Sequence, residues 1–108
     1  MLLDVRTYKV KPGQLKAQFE VYAKYGKPAQ TRHLGQPLAF LRTETGDPNE
    51  YVHIWVYENA ADREKKRAAM MADPGWQDYL KRSAELGALV SQTNKLMTPV
   101  DFYDPPKT

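Results

Sequence analysis

The sequence predicts an α+β domain in which one antiparallel sheet carries helices on a single face. Stretches with apolar residues at helical spacing alternate with runs rich in β-branched and aromatic residues, and a short turn separates the middle two runs. The 108 residues are the size of one domain, and 42% apolar with 27% charged residues is ordinary globular composition. We therefore expect a single domain over residues 1–103 and a disordered tail over residues 104–108.

The first half of the chain is expected to form one strand and one helix. Residues 2–10 are rich in β-branched and aromatic types and stop at a Lys-Pro-Gly segment, which is typical of a strand. From about residue 13 to residue 29, apolar side chains recur three or four positions apart, which predicts an amphipathic helix that ends at Pro28. Residues 30–37 are expected to form a loop.

A β-hairpin is predicted next. Residues 38–44 and 51–57 have strand composition, and the Gly-Asp-Pro-Asn segment 46–49 between them is a strong turn signal.

Two helical segments are expected after the hairpin. Asn59 is a good N-cap for a helix over residues 60–72. Asp73 is predicted to be the N-cap of a second helix, because proline follows it at the first helical position. The apolar face of this second helix is expected to continue as far as Val90.

The last element is expected to be a strand over residues 94–103, in which Pro99 favours an edge position or a bulge. The order is then β-α-β-β-α-α-β, which is the ferredoxin-like plan with a broken second helix. This plan predicts an antiparallel sheet with strand order 4-1-3-2 and helices on one face.

The third strand has two unusual faces. One carries three aliphatic residues and the other carries aromatic residues and a histidine: Val52, Ile54 and Val56 against Tyr51, His53, Trp55 and Tyr57. Neither face is simply hydrophilic, although a half-exposed strand usually alternates apolar with polar residues. The chain's own helices can cover only one face. We therefore predict a homodimer in which two sheets pack face to face.

Several segments of the chain form a recognisable set in their order and spacing. They are Arg6-Thr7-Tyr8, Lys11-Pro12-Gly13, His53-Ile54-Trp55-Val56-Tyr57, Arg63 and Arg67, Asp73-Pro74-Gly75-Trp76, and Asn94-Lys95-Leu96-Met97-Thr98-Pro99 with Phe102. Together they resemble the NIPSNAP family, within the dimeric α/β-barrel superfamily, and the similarity extends over about residues 2–103. The resemblance implies a ferredoxin-like protomer and a dimer whose sheets form a barrel. The superfamily includes cofactor-independent monooxygenases, haem-degrading enzymes, isomerases, dehalogenases and small-molecule binders, so the fold does not choose the chemistry.

The candidate functional cluster combines residues of the first and third strands. Arg6 and Tyr8 share one face of the first strand, and His53, Trp55 and Tyr57 share one face of the third. Adjacent strands would bring all five together. The hypothesis assigns proton transfer to His53, stabilisation of an enolate-like oxygen to Arg6 and Tyr8, and the walls of a ligand pocket to the two other aromatic residues.

Each candidate also has a structural interpretation. The aromatic residues of the third strand can be core or dimer packing, with Arg6 paired to Asp4 or Asp101. Arg67 can bind an anionic ligand over the sheet, or it can belong to a solvated, highly charged helix face. Asn94 can place an amide beside the first strand, or it can end the preceding helix.

Trp76 and Tyr79 are expected to pack their helix against the sheet. His33 and His53 lie twenty residues apart with no ligands at recognisable spacing, so no metal site is predicted. The chain has no cysteine, no glycine-rich phosphate loop and no dinucleotide fingerprint, so no cofactor is predicted.

Composition argues against several partners. The net charge of +3 comes from basic residues interleaved with acids, which disfavours nucleic-acid binding. No apolar run approaches the roughly 20 residues of a membrane helix. The first residues do not have the pattern of a signal peptide, so we expect a cytoplasmic protein.

Two functions are consistent with these patterns. The first is a small protein that binds or transforms a hydrophobic or aromatic carbonyl-type compound without metal or nucleotide, by oxygenation or isomerisation. The alternative is a non-catalytic dimeric binding or scaffold protein. For either function, the ligand is expected to be small and hydrophobic or anionic.

Overall fold

A four-stranded antiparallel sheet forms the centre of the fold. The computed structural model describes residues 1–104, so the predicted tail, apart from Asp104, lies outside the described residues. The strand order is β2-β3-β1-β4, which is the predicted order. The strands are β1 (Leu2–Val10), β2 (Ala39–Arg42), β3 (Glu50–Tyr57) and β4 (Leu89–Met97).

Helices follow β1 and β3 in the chain. The first helical stretch consists of α1 (Leu15–Val21), a π-helical segment (Tyr22–Gly26) and α2 (Lys27–Leu34). The second consists of α3 (Ala60–Ala72) and α4 (Pro74–Leu86). Among residues 1–104, no helix is both long and apolar enough to cross a membrane.

The first helical stretch is longer than predicted. The prediction that it ends at Pro28 is wrong, because helical conformation continues to Leu34. Of the predicted loop over residues 30–37, only residues 35–37 lie outside the helix. The backbone N–H of Lys27 bonds to the carbonyl of Tyr22, five residues back, so the chain is already in a widened turn before the proline. Pro28 then lies in the first turn of α2, where a missing N–H does no harm.

The two helices after the hairpin begin at the predicted caps. The side chain of Asn59 accepts a hydrogen bond from the backbone N–H of Asp62 at 2.8 Å, and Asp73 accepts one from Gly75 at 2.7 Å. The end of α4 comes earlier than predicted, because Gly87 adopts a left-handed conformation with φ of 65° and stops the helix.

The last strand is shifted from its predicted range of 94–103. It begins at Leu89, directly after the early end of α4, and ends at Met97 before Pro99. It lies at the edge of the sheet, as the proline suggested, and all nine of its residues are exposed.

The structure shows which face of the sheet meets the helices. Every second residue of β3 is buried, and these are Tyr51, His53, Trp55 and Tyr57. The aliphatic set of Val52, Ile54 and Val56 lies on the opposite, open face. The helices therefore cover the aromatic face.

The main core joins this aromatic face to α2, α3 and α4. Trp55, Tyr57, Met70, Trp76 and Tyr79 are its large buried members. Gly26 allows the closest approach of α4, since a Cβ at this position would lie 2.9 Å from a ring carbon of Tyr79. The predicted packing of Trp76 and Tyr79 against the sheet is confirmed.

Candidate functional site

A cavity of about 200 Å³ lies between the aromatic sheet face and the helices, and we call it the sheet–helix cavity. Fifteen residues line it, and among these none is Asp or Glu. They are Arg6, Tyr8, Tyr22, Gln30, Phe40, Tyr51, His53, Arg67, Met71, Trp76, Tyr79, Leu80, Ser83, Leu89 and Gln92. Aromatic rings and hydrogen-bonding side chains thus dominate a partly enclosed space.

Four nearly parallel rings form the sheet side of the cavity. Tyr8 stacks on Tyr51 at 4.9 Å and on His53 at 5.0 Å between ring centroids. Phe40 stacks on the other side of His53 at 4.8 Å, and the three interplanar angles do not exceed 15°. This arrangement follows from strand register, because Tyr8 lies opposite Tyr51 and Phe40 lies opposite His53. Tyr8 and Phe40 cover the two faces of the His53 ring, so these stacked side chains present aromatic edges to the cavity.

The tautomer of His53 is set by its neighbour Trp55, and its charge is set mainly by burial. The indole Nε1–H of Trp55 donates a hydrogen bond to Nδ1 of His53. An indole nitrogen can only donate, so Nδ1 must accept and the proton of the neutral imidazole lies on Nε2. Burial, with a smaller contribution from Arg6, lowers the pKa of His53 to about 3. The imidazole is therefore neutral at physiological pH.

A buried carboxylate holds two arginines and an amide in place. Asp4 has no exposed surface, and its oxygens accept from Arg6 Nη1 at 3.2 Å, Arg63 Nε at 3.2 Å and Asn94 Nδ2 at 3.3 Å. Arg6 also donates through Nε to the hydroxyl of Tyr8 at 3.0 Å. Burial acts to lower the pKa of Arg6, but Tyr8 and Asp4 outweigh it and the pKa is raised.

Arg67 is the second cation of the cavity. It lies one helical turn after Arg63 on α3 and is half-buried. Unlike Arg63, it forms no ion pair with any carboxylate in residues 1–104. Its positive charge is close enough to contribute to the lowered pKa of His53. The carboxylate of Asp4 thus shares this region with three guanidinium groups, those of Arg6, Arg63 and Arg67.

Three phenols that line the cavity, those of Tyr22, Tyr51 and Tyr79, are neutral. Burial, assisted by neighbouring tyrosines, raises the pKa of Tyr22 and Tyr51, and burial raises that of Tyr79 to about 12. Tyr22 donates to Oε1 of Gln30 at 2.5 Å. These phenols act as hydrogen-bonding groups at physiological pH and do not supply a base.

Three buried side-chain polar atoms have no hydrogen-bond partner within residues 1–104. They are Nε1 of Trp76, a residue that lines the cavity, and, in residues that do not line it, the hydroxyl of Tyr57 and Oε1 of Gln18. A buried donor without an acceptor is costly and calls for an explanation.

The structure brings four of the predicted site residues to the cavity: Arg6, Tyr8, His53 and Arg67. The other three do not line it. Trp55 lies behind His53, Tyr57 belongs to the core, and Asn94 holds Asp4. In residues 1–104, no three His, Asp or Glu side chains come together as metal ligands would.

The structural interpretation of Arg6 is confirmed for Asp4, since the two side chains form an ion pair at 3.2 Å. Other features of the site were not predicted, among them the bonds from Arg63 and Asn94 to the same carboxylate. The role of Trp76 was assigned to packing, and it both packs and lines the cavity. Phe40 could not be placed without the register of β2 against β3.

The fold and the cavity together define a ferredoxin-like α+β domain with an internal space between sheet and helices. The NIPSNAP family model matches residues 3–103, and the chain belongs to this family. The resemblance stated from the sequence is confirmed.

Similar proteins agree with this assignment. A NipSnap homologue of Dictyostelium discoideum is 31% identical over 91 residues, which are 83% of this chain and 40% of that protein. The chain thus spans less than half the length of this relative. The crystal structure of a NIPSNAP family protein from Agrobacterium tumefaciens is 36% identical and has a TM-score of 0.86, and the match covers 95% of this chain and 91% of the other.

The fold extends beyond the family. A putative antibiotic biosynthesis monooxygenase from Nitrosomonas europaea has a TM-score of 0.64 at 14% identity, and the match covers 93% of this chain and 99% of the other. At this identity the similarity shows a shared fold only.

Proposed function

We propose that the protein binds a small planar carbonyl-type compound in the sheet–helix cavity and promotes chemistry at the carbonyl without metal or nucleotide. The observation that carries the proposal is the convergence of an aromatic wall with hydrogen-bond donors in one partly enclosed space. A cavity of about 200 Å³ with these walls is unusual for core packing alone, because protein interiors are close-packed.

The proposed chemistry is stabilisation of an enolate-like oxygen. Arg6 and Arg67 supply positive charge, and the hydroxyl of Tyr8 is aligned by its bond from Arg6. Donors fixed in advance and held away from water stabilise developing negative charge effectively. Oxygenation and isomerisation beside a carbonyl both pass through such a charge distribution, and the fold of a putative monooxygenase is similar.

His53 takes a different part in this proposal from the one first predicted. An imidazole whose pKa is lowered to about 3 is a weak base at neutral pH. Its Nε2–H is a donor, because Nδ1 already accepts from Trp55. We therefore assign hydrogen-bond donation to His53.

Binding of simple probes tests the proposal. Saturation-transfer NMR is measured with benzoate, benzamide and acetophenone, which share one ring and one carbonyl carbon. We expect transfer to at least one probe, and we expect it to weaken in His53→Gln while Arg82→Met, changed on an exposed part of α4, behaves as wild type. Absence of transfer to all three probes would contradict the proposed function.

We also propose that a second copy of the chain covers the open sheet face. Val5 lies opposite Ile54 at the centre of this face, with aliphatic residues on either side. Lys9 and Glu50 form an ion pair at 3.9 Å at one end of the same face. An apolar centre with a polar rim suits a two-fold symmetric interface, in which the same patch is used twice.

A further inference from the structure

We infer that the ligand of the sheet–helix cavity is a single-ring organic anion, a carboxylate or an enolate, whose charged oxygen is held by Arg67 and by the indole N–H of Trp76. This inference rests on the proposed function and narrows it from carbonyl compounds in general to anions.

The charges around the cavity favour an anion. None of the described residues that line the cavity is Asp or Glu, and the nearby buried carboxylate of Asp4 is shared by Arg6 and Arg63. Arg67 lines the cavity without a carboxylate partner in residues 1–104. A half-buried guanidinium without a counter-ion is costly, and an anionic oxygen is its natural, bidentate partner.

The unfilled hydrogen-bonding positions are donors. Trp76 is only 8% exposed, its Nε1 has no acceptor within the described chain, and an indole cannot accept instead. The Nε2–H of His53 is a second donor at the same cavity. A carboxylate or enolate oxygen would satisfy both kinds of donor, whereas an ammonium group would satisfy neither.

Three of the acceptors that line the cavity are already engaged. Oε1 of Gln30 accepts from Tyr22, and the hydroxyl of Ser83 accepts from Gln18 at 3.4 Å. The hydroxyl of Tyr8 accepts from Arg6, which leaves its own hydrogen available as a further donor. The cavity thus offers donors to a ligand and few acceptors, which disfavours primary amides and amines.

The size of the cavity limits the ligand to one ring. An engineered protein cavity of about 150 Å³ takes up benzene. The sheet–helix cavity, at about 200 Å³, has room for one ring with one small substituent. The edges of the stacked Tyr8, Phe40 and His53 rings provide an aromatic wall against which such a ring can pack.

A matched pair of probes tests the inference. Benzoate and benzamide have nearly the same shape, and only benzoate is charged. Their affinities are measured by isothermal titration calorimetry at neutral pH for the wild type, Arg67→Met, Trp76→Phe and the control Arg82→Met. We expect benzoate to bind the wild type at least about tenfold more tightly than benzamide, because a charge-assisted bond is about twice as strong as a neutral one.

The variants test the role of Arg67 and the role of Trp76 separately. We expect Arg67→Met to weaken benzoate about tenfold or more and to leave benzamide unchanged, and Trp76→Phe to weaken benzoate by a smaller factor. Arg82→Met should match the wild type with both probes. Equal affinity for the two probes, or unchanged benzoate binding in Arg67→Met, would overturn the anion inference and leave the proposed function standing. Failure of the wild type to bind either probe would contradict both.

Discussion

The indole of Trp55 donates its N–H to Nδ1 of His53, two residues earlier on the same strand. Both side chains are buried on the helix-facing side of β3, with 1% and 3% of their surfaces exposed. The bond turns a candidate acid–base histidine into a neutral donor, because the imidazole must keep its proton on Nε2. Trp55 is therefore a positioning residue for His53 and does not itself reach the cavity.

The tautomer of His53 can be measured directly. In the wild type we expect ¹⁵N spectra of the imidazole to show Nε2 protonated and Nδ1 unprotonated across neutral pH. In Trp55→Phe the donor to Nδ1 is removed, so we expect both neutral tautomers to be populated. His33→Gln identifies which signals belong to His53. A wild-type His53 protonated on Nδ1 would contradict the assignment.

The low pKa of His53 predicts a pH-dependent stability. The unfolded imidazole binds a proton below about pH 6.5, and the folded one does so only below about pH 3, so the folded state is progressively disfavoured as the pH falls between these values. From pH 6.5 to pH 5 we expect the free energy of unfolding to fall by about 1.5 kcal/mol from this residue alone.

The variant His53→Gln isolates this contribution. Its free energy of unfolding, measured by urea denaturation, should fall less steeply over the same pH range. The lowered pKa values of Asp62 and Asp73 affect stability mainly below about pH 4 and are common to both proteins. Parallel pH profiles for the wild type and the variant would show that His53 has an ordinary pKa.

The carboxylate of Asp4 is expected to be the most sensitive charge in the protein. Asp4→Asn leaves Arg6 and Arg63 buried or half-buried without their counter-ion, and we expect a loss of about 3 kcal/mol or more in the free energy of unfolding. The matched control is Asp78→Asn, which breaks an exposed pair with Arg82 and should change stability little. Similar losses of unfolding free energy in the two variants would mean that burial of Asp4 does not determine its contribution to stability.

The proposed dimer interface has its own test. Ile54→Lys places a charge at the centre of the open sheet face, where a second copy would have to bury it. We expect native mass spectrometry to show dimers for the wild type and monomers for this variant. Ala68→Lys adds the same charge to an exposed helix position and should remain dimeric. A monomeric wild type would rule out the interface.

Local sequence patterns were sufficient for the framework of the fold and for half of the site. The alternation along β1 and β3 placed Arg6, Tyr8 and His53 on one face, because side chains on a strand alternate strictly. Asn59 and Asp73 marked helix starts correctly, since capping is chemistry between near neighbours.

The predictions that failed concern features that depend on tertiary contacts. The sequence predicts a helix end at Pro28, but a widened turn before it accommodates the ring within a continuing helix. The aromatic face could not be assigned to the helices or to a partner without the packing of Trp76 and Tyr79. The protonation of His53 depends on burial and on Trp55, neither of which the spacing of residues reveals.

The most direct test of the cavity as an anion site uses the two indole N–H signals of the protein. The ¹H–¹⁵N spectrum should contain one indole peak for Trp55, already bonded to His53, and one for Trp76, which has no acceptor in the described part of the chain. On titration with benzoate we expect the Trp76 peak to move downfield and to saturate. A Trp76 peak that stays fixed while benzoate shifts other regions would contradict binding in the sheet–helix cavity.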